Sequence, residues 1–434
     1  MSSRLLYLDV LRGVAILLVI GNHLAITPPA SDYAWARIPF DCWQHVGWMG
    51  VPLFFGLSGF LIGGLLFQDY AVHGAIRMSR FYVRRLFKIW PPYLTWLATT
   101  SAFLLWEARR TPEPWALTLQ VLGANLLHLQ NYLPGAPYPL WLMMAGHTWS
   151  LSIEEHFYLL LPFLLLAAAA LGQKAGDTRL RAGPPLLLAV IGAALVGRCY
   201  VAMTSTETPG SEQDATAFVA LYATHLRIDA LALGVLLAYL VHFRPGVIEV
   251  VRPHRHWLLP LSVAFAVPSA LPAIPAYQDY SGRLHYTLGL TLLSVGSVAA
   301  VLWAWLASGG GDPQARGAPP PRPWTRAIIG FVAMVGVSSY SIYLWHIPFG
   351  HIVSALLATR LNASPTIGTY LLSVLVYAGF CLGFGMVMYR LIEVPALHLR
   401  HRWGPAGPDR RRTSQESRQI TAPPTESYQV LPGP

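Results

Sequence analysis

Charged residues are scarce in this chain. Only 12% of its 434 residues are Asp, Glu, Lys or Arg, while 54% are hydrophobic and the mean hydropathy is +0.45. An average soluble domain has about 25% charged residues. A large soluble protein with this balance would have too few charges to cover its surface. The composition therefore predicts an all-α, polytopic membrane protein that is surrounded by membrane lipid.

Cysteine is also scarce, and a cleavable leader is not expected. The three cysteines, Cys42, Cys199 and Cys381, fit neither a disulfide framework nor a metal cluster, and we expect no metal site. Asp9 and Arg12 interrupt the place where the apolar core of a signal peptide should lie. We therefore expect the first apolar segment to be retained as a membrane helix.

Apolar runs that are long enough to cross a bilayer predict about ten spans. They lie at about residues 5–26, 46–67, 89–106, 150–171, 185–203, 217–242, 256–276, 285–307, 327–357 and 367–392. The connections after spans two, four, six and eight are basic, and the loop after span five is acidic. The positive-inside rule then predicts that both termini are cytoplasmic. The net charge of +10 reflects this topology, and we do not expect nucleic-acid binding.

The chain is predicted to form one membrane domain and a tail. The ten spans lie within residues 1–403, whereas residues 404–434 are rich in Pro, Ser, Arg and Gln and predict a disordered cytoplasmic tail. The segment at 309–323 predicts a flexible inner loop. The connection at about 107–148 is long, and long loops are often functional, so we expect it to shape an outer-facing site.

Two polar residues, whose burial in a bilayer costs free energy, share the first predicted span. Arg12 and His23 are eleven positions apart, which returns a helix to within about 20° of the same face, roughly 16 Å further along its axis. Charged groups inside a bilayer mark function by default. Asp9 can pair with Arg12 three residues later, and Asn22 flanks His23. The alternative is a structural ion pair and a histidine that caps the outer end of the helix.

A second candidate is the basic stretch RFYVRRLFKIWPPY at 80–93. Arg84 and Lys88 share a face if the segment is helical, and Arg85 is adjacent. Such a cluster suits phosphate groups, and the alternative is an anchor that contacts anionic lipid. Pro91 and Pro92 are expected to break the helix or to open the following span.

A third candidate is HTWSLSIEEHFYLLLP at 147–162. Glu154 and Glu155 lie a few residues into a span, with histidines nearby, and Trp149 fits an interfacial anchor. A glutamate and a histidine together suit general acid–base work. Adjacent helical residues point about 100° apart, so we expect at most one glutamate to face a cavity. The alternative is a carboxylate that is stabilised by the helix dipole.

Three further polar pairs lie inside predicted spans. They are Arg227 with Asp229, Tyr343 with His346, and Arg390 with Glu393. Each can be a buried structural pair, and we prefer this structural interpretation for the two charged pairs. Together they predict a bundle whose polar residues converge.

The order of these segments resembles the membrane-bound acyltransferase-3 family, the integral-membrane O-acyltransferases that modify bacterial surface glycans and some antibiotics. The resemblance covers about residues 5–397 and is carried by LRGVAILLVIGNH, GVPLFFGLSGFLI, RRLFKIWPPY, TWSLSIEEHFYLLLP, LRIDALALG, SSYSIYLWHIPF and IEVP. We expect no extracytoplasmic hydrolase-like domain after the bundle, and we therefore expect the single-domain form, in the bacterial inner membrane.

The family's motifs map onto residues of this chain. Its Arg/Lys-x10-His motif corresponds to Arg12 and His23, and its Arg-x-x-Arg motif corresponds to Arg85 and Lys88. Lysine in the second place keeps the charge but loses a bidentate donor. The glutamate of the Trp-Ser-Leu motif corresponds to Glu154. The terminal Ile-Glu-x-Pro element includes Glu393, with Val394 where the family more often has a basic residue.

The resemblance implies an acyl-CoA donor, with acetyl-CoA expected, and a carbohydrate or glycosylated acceptor. Arg12, Arg84, Arg85 and Lys88 would hold the donor's phosphates. His23 would deprotonate the acceptor hydroxyl or accept the acyl group transiently, and Glu154 would orient the imidazole. Supporting positions are Asp9, Asn22, Trp149, Arg227, Asp229, Tyr343, His346 and Glu393.

Two other classes remain open at this stage. A transporter or flippase could use the same polar residues as a substrate path. Against it, no inverted repeat or matching pair of broken helices is visible in the sequence. A catalytically inactive partner protein is disfavoured because Arg12, His23 and Glu154 are all present.

Overall fold

The computed structural model describes residues 6–24, 34–107, 109, 115–133, 145–173, 179–204, 222–270, 284–310, 322–361 and 366–403. Within these ranges the chain is helical and contains no β-strand, which confirms the predicted all-α class. The predicted tail at 404–434 and most of the predicted loop at 309–323 lie outside the described residues.

The helices are numbered here in chain order. They are α1 (Leu6–Asn22), α2 (Ala34–Val46), α3 (Gly50–His73), α4 (Met78–Glu107), α5 (Trp115–Leu126), α6 (Trp149–Gln173), α7 (Gly183–Thr204), α8 (Thr224–Arg227), α9 (Asp229–Phe243), α10 (Pro245–Val251), α11 (Leu258–Ala270), α12 (Leu290–Ala307), α13 (Pro323–Val337), α14 (Ser339–Leu361), α15 (Ile367–Met388) and α16 (Val394–Trp403). Short 3₁₀ turns lie at Gly47–Met49, Gln130–Tyr132, Gly146–Thr148 and Arg252–Trp257, and π-helical turns lie at His285–Gly289 and Tyr389–Glu393.

Several helical segments are long and apolar enough to cross a membrane. The described part of the chain contains five, at Ile38–His73, Gly146–Gly172, Gly183–Thr204, His285–Ala307 and Ile367–Arg400. Two further pairs qualify only when taken together: Asp229–Phe243 with Pro245–Ala270, bent by 103°, and Pro323–Val337 with Ser339–Leu357, bent by 75°. The predicted number of ten spans is therefore not confirmed. The prediction of an apolar helical bundle with several candidate spans is confirmed.

Three segments differ from their predicted form. The predicted span at 327–357 is broken at Ser338, since glycine and serine residues favour kinks. Pro91 and Pro92 lie inside the continuous helix α4, because a helix in a bundle can satisfy freed backbone groups through its neighbours. The connection at 107–148 contains the helix α5.

Glycines set the position of α1, the helix of Arg12. A Cβ atom on Gly13 would overlap the carbonyl of Val332, and one on Gly336 would overlap the carbonyl of Asp9. Helices α1 and α13 therefore touch through their backbones, as small residues allow in membrane bundles. Helices α3 and α9 approach each other through glycines in the same way. Helix α1 also contacts α3 and α14, so it lies at the centre of the bundle.

Candidate active site

A cavity of about 230 Å³, here called the central cavity, lies between α1, α3, α4, α6, α13 and α14. One part of its wall is apolar and includes Val51, Phe54 and Phe55. The bend at Ser338 opens towards it, since residues on both sides of the bend line the wall. Polar groups converge there from five helices: Arg12, Ser58, Arg85, Lys88, Ser150, Glu154, Glu155, Tyr158, Ser339, Tyr340 and Tyr343.

A second cavity, also of about 230 Å³ and here called the basic cavity, adjoins the first. Arg12, Arg85 and Lys88 line both cavities. Its cationic residues are Arg12, Arg77, Arg80, Arg84, Arg85, Lys88 and Arg400, with Asp69 as an acidic residue on the wall. All four residues that the sequence predicts for phosphate binding therefore lie at one site.

Arg77 and Arg80 are site residues that sequence reasoning missed. Arg77 donates from Nε to both carboxylate oxygens of Asp69 at 3.1 Å, while Arg80 Nη1 lies 3.5 Å from one of them. Arg80 is only 8% exposed, and its Nε and Nη2 have no hydrogen-bond partner in the part of the chain described. The signal was present, because Arg77, Arg80, Arg84 and Lys88 follow one another at helical spacings of three and four residues.

The predicted pair of Arg390 with Glu393 is wrong. Glu393 is fully buried; it pairs with Lys88 and accepts a hydrogen bond from Ser341 Oγ at 2.7 Å, whereas Arg390 is exposed. Residues 389–393 form a π-helical turn, whose wider winding removes the shared face that spacing in an α-helix would give. The charge of Lys88 is thus partly neutralised, although the residue still lines both cavities.

Both glutamates of α6 line the central cavity, so the prediction that at most one would face a cavity is wrong. The cavity extends around the first turns of α6 and reaches both side chains. Glu154 accepts hydrogen bonds from Ser58 Oγ at 3.1 Å and from Tyr158 Oη at 2.6 Å. The guanidinium of Arg85 stacks on the Tyr158 ring, 5.3 Å from its centroid. The hydrogen bond to His23 that the orienting role of Glu154 requires is not among these contacts.

His23 lies one residue beyond the end of α1, in a turn, rather than within the helix. Its Nδ1 is 2.9 Å from the carbonyl oxygen of Val19 and 3.2 Å from Nε2 of His346. Tyr377 donates a hydrogen bond to the backbone carbonyl of His23 at 2.8 Å. Since a carbonyl can only accept, Nδ1 carries the proton, and Nε2 is left as the basic ring nitrogen.

His346 belongs to a buried cluster with His23 and His147. The ring of His346 lies 5.0 Å from that of His23 and 5.1 Å from that of His147. His147 directs its Nε2 to the carbonyl oxygen of Leu344 at 3.3 Å. That carbonyl is available because Pro348, four residues later, has no N–H to donate to it. The proline is a sequence signal that Leu344 has a free backbone acceptor, but it does not indicate that His147 donates to it.

Tyr343 connects the histidine cluster to the central cavity. Its hydroxyl donates to the carbonyl oxygen of His147 and contacts Ser150 Oγ, each at 2.7 Å, and its side chain lines the cavity. The resulting site has a carboxylate pair, a basic entrance and an adjoining imidazole cluster. No group of three or more His, Cys, Asp or Glu residues is arranged as metal ligands within the described ranges.

We predict that Pro348→Ala lowers the turnover of the protein without unfolding the bundle. The new N–H of residue 348 can form the helical hydrogen bond to Leu344, and His147 then loses its acceptor. We expect turnover to fall about 3- to 10-fold, consistent with roughly 1 kcal/mol for one hydrogen bond. Steady-state kinetics of the purified variant measure this effect, with Pro162→Ala in α6 as the matched proline control. Equal turnover in the two variants would contradict the prediction.

The direct ion-pair partner of Asp229 is Arg198 and not the predicted Arg227, although Arg227 is also buried and its charge interacts with that of Asp229. Asp229 Oδ2 accepts from Nη2 of Arg198 on α7 at 2.8 Å, and the same nitrogen donates to Thr291 Oγ1 at 2.5 Å. Arg198 also donates to the carbonyl of Leu226. Arg227 and Asp229 are only two residues apart, and that spacing directs helical side chains to different faces. Arg198 was not among the candidates because it sits alone in an apolar run.

The remaining predicted positions support the site from its edges. Asp9 Oδ1 pairs with Arg12 Nη1 at 2.8 Å, as their spacing predicts. Asn22 is the last residue of α1 and lies against Gly47. Trp149 begins α6, and its ring packs against those of Phe55 and Tyr222, with centroids at 6.3 and 4.9 Å.

An apolar helical bundle that encloses a polar cavity is typical of an integral membrane protein, and here a second, basic cavity adjoins the first. The chain belongs to the acyltransferase family: it matches the acyltransferase domain over residues 5–390, which confirms the resemblance seen in its motifs. No solved structure matches the chain.

Named relatives come from several bacteria. The chain is 25% identical to the peptidoglycan O-acetyltransferase OatA of Listeria monocytogenes, over 79% of this chain and 48% of that protein. It is 27% identical to the putative peptidoglycan O-acetyltransferase YrhL of Bacillus subtilis, with the same two coverages of 79% and 48%. A putative O-acetyltransferase of Staphylococcus aureus is 24% identical over 89% of this chain and 56% of its own length. The chain thus spans about half the length of the curated relatives it matches.

Proposed function

We propose that this protein is an integral-membrane O-acetyltransferase that transfers an acetyl group from acetyl-CoA to a hydroxyl of a cell-wall glycan. The observation that carries the proposal is the pair of adjoining cavities, one basic and one lined by carboxylates, which share Arg12, Arg85 and Lys88. A donor with several phosphates and a long neutral arm needs a site of this two-part form.

The basic cavity suits the phosphate end of the donor. Arginines bind phosphate oxygens through pairs of N–H groups, and the buried, unpartnered Nε and Nη2 of Arg80 supply one such pair. The central cavity would receive the neutral arm, and the thioester at the end of the arm would lie beyond Tyr343, next to the histidine cluster. Its serine and tyrosine hydroxyls, such as those of Ser150 and Tyr340, can bond the amides of the arm.

His23 is the proposed base. Its Nε2 takes the proton of the acceptor hydroxyl as the oxygen attacks the thioester carbonyl. The new C–O bond forms, the C–S bond breaks, and the leaving thiolate receives the proton from the imidazolium. A transient acyl-histidine on the same nitrogen is the alternative route. Glu154, which lines the central cavity, would stabilise the positive charge that His23 gains.

The orientation of the protein follows from its basic loops. We place both termini and the basic cavity on the cytoplasmic side of the bacterial inner membrane, where acyl-CoA is available, and the glycan on the other side. The names of the relatives support peptidoglycan as the acceptor class.

The direct test uses the purified protein in lipid nanodiscs with acetyl-CoA and soluble peptidoglycan fragments. Released thiol is followed by absorbance, and the acetyl ester on the glycan by mass spectrometry. We expect the two products in a ratio of about one to one. Movement of substrate across vesicles without thiol release would instead support the transporter class and contradict the proposal.

We predict that Arg85→Ala raises the KM for acetyl-CoA about 10- to 100-fold. A hydrogen bond to a charged group contributes about 1.5–3 kcal/mol, and Arg85 lines both parts of the donor site. Arg390→Ala is the matched control, because Arg390 is an exposed arginine outside both cavities. Donor titrations of both variants measure the effect. An unchanged KM in Arg85→Ala would remove the residue from the donor site.

A further inference from the structure

We propose that His346 is the positioning residue of His23, in the place that the sequence predicts for Glu154. The inference rests on the proposed function, because it assigns a role within the same reaction. It is carried by the contact between the two imidazoles, which are 323 positions apart in the chain and meet with Nε2 of His346 3.2 Å from Nδ1 of His23.

Backbone carbonyls set which nitrogens of the two rings carry protons. Nδ1 of His346 is 2.7 Å from the carbonyl oxygen of Tyr343, one helical turn earlier in α14. A carbonyl only accepts, so this nitrogen carries the proton and Nε2 of His346 presents a lone pair. Nδ1 of His23 carries a proton for the same reason, because Val19 offers a carbonyl oxygen at 2.9 Å. The proton on His23 Nδ1 is therefore shared between Val19 and His346.

The packing around His346 leaves its ring one orientation. The residue is fully buried, its ring meets those of His23, His147 and Tyr343 at centroid distances of 5.0–5.5 Å, and Pro348 follows two positions later. His147 is held in turn by its hydrogen bond to Leu344. The lone pair that faces His23 is thus supported by a fixed framework rather than by a mobile side chain.

The contact has a chemical consequence for His23. An acceptor at Nδ1 keeps the basic lone pair on Nε2, and it bonds more strongly when the ring becomes an imidazolium. In serine hydrolases a carboxylate has this role: it orients the imidazole and stabilises the imidazolium that forms during the reaction. A neutral imidazole can do the same inside a membrane without the cost of an added buried charge. Glu154 is free to hold Ser58 and Tyr158.

Two substitutions separate positioning from packing. His346→Phe keeps an aromatic ring but removes the acceptor, whereas His346→Gln keeps a carbonyl oxygen at about the same reach. We expect His346→Phe to lower kcat about 100-fold with the KM for acetyl-CoA unchanged. We expect His346→Gln to keep kcat within about 10-fold of the parent protein. Thermal unfolding of both variants in nanodiscs checks that they fold.

A spectroscopic readout keeps this inference separate from the proposed function. Nitrogen-15 NMR of histidine-labelled protein, with His23→Gln to assign the signal, reports which ring nitrogen of His23 is protonated. Val19 still accepts the Nδ1 proton in every variant, so we expect the Nδ1–H form in all three proteins, with a shifted Nδ1 signal in His346→Phe because one of the two acceptors of this proton is gone. An Nδ1 signal in His346→Phe identical to that of the parent protein, or equal loss of kcat in both variants, overturns the positioning role. If the parent protein transfers no acetyl group but has the expected tautomers, the proposed function fails and the contact stands.

Discussion

Replacing His23 by alanine is expected to abolish acetyl transfer while acetyl-CoA still binds. General base catalysis contributes about 10²- to 10⁴-fold, and an acyl-histidine route would lose still more because its nucleophile is gone. The proposed donor-binding residues lie in the two cavities, and His23 is not among the lining residues of either. Thiol release under saturating donor therefore falls by at least about 100-fold, whereas equilibrium binding of acetyl-CoA changes by less than about twofold.

The control for this experiment is a histidine that shares the chemistry but not the position. His254 is exposed, and its Nδ1 also approaches a backbone carbonyl four residues earlier, that of Val250, at 3.3 Å. His254→Ala is expected to keep full turnover. Turnover of His23→Ala close to that of His254→Ala would refute the assignment of His23 as the base or nucleophile.

Replacing Arg198 by methionine is expected to have the largest effect on stability. Arg198 and Asp229 are both 0% exposed, and the guanidinium bonds Asp229, Thr291 and the carbonyl of Leu226. Removing one partner of a buried ion pair leaves the other charge uncompensated and costs about 3–5 kcal/mol. We expect a lowered midpoint of thermal unfolding, measured in detergent by tryptophan fluorescence, and a reduced yield of monodisperse protein.

A second substitution and a surface pair make this prediction specific. Arg198→Met with Asp229→Leu removes both charges, and we expect it to recover most of the lost stability. Arg252→Met breaks the more exposed pair of Arg252 with Glu249, where we expect a change of at most about 1 kcal/mol. If Arg198→Met unfolds at the same temperature as Arg252→Met, the buried pair is not a stabilising element.

The success of the sequence analysis depended on the distance between partners. The pair of Asp9 with Arg12 was predictable, because residues three apart on a helix face each other. Lys88 with Glu393 and His23 with His346 lie 305 and 323 positions apart, and no local spacing indicates them. The same assumption of local pairing produced the wrong partners for Asp229 and Glu393. Buried charges in a bundle are satisfied by neighbouring helices, and a single sequence does not state which helices are neighbours.

The fold was predictable in class and less so in detail. Hydropathy identifies apolar helices, because the bilayer requires long apolar runs. It does not detect the 75° bend at Ser338, because α13 and α14 are both apolar and the break is one residue long. That bend contributes to the wall of the central cavity, so part of the site was invisible to the same analysis.

Helix α1 fixes the distance between Arg12 and His23. Its glycines bring its backbone into direct contact with that of α13. Arg12 lies in the wall shared by the two cavities, and His23 lies just past the end of the helix. The eleven positions from Arg12 to His23 correspond to a helical rise of roughly 16 Å. This length is set by the backbone and not by flexible side chains. In the proposed reaction, an acetyl donor whose arm is shorter than this distance can bind at the arginines or reach the imidazole, but it cannot do both at once.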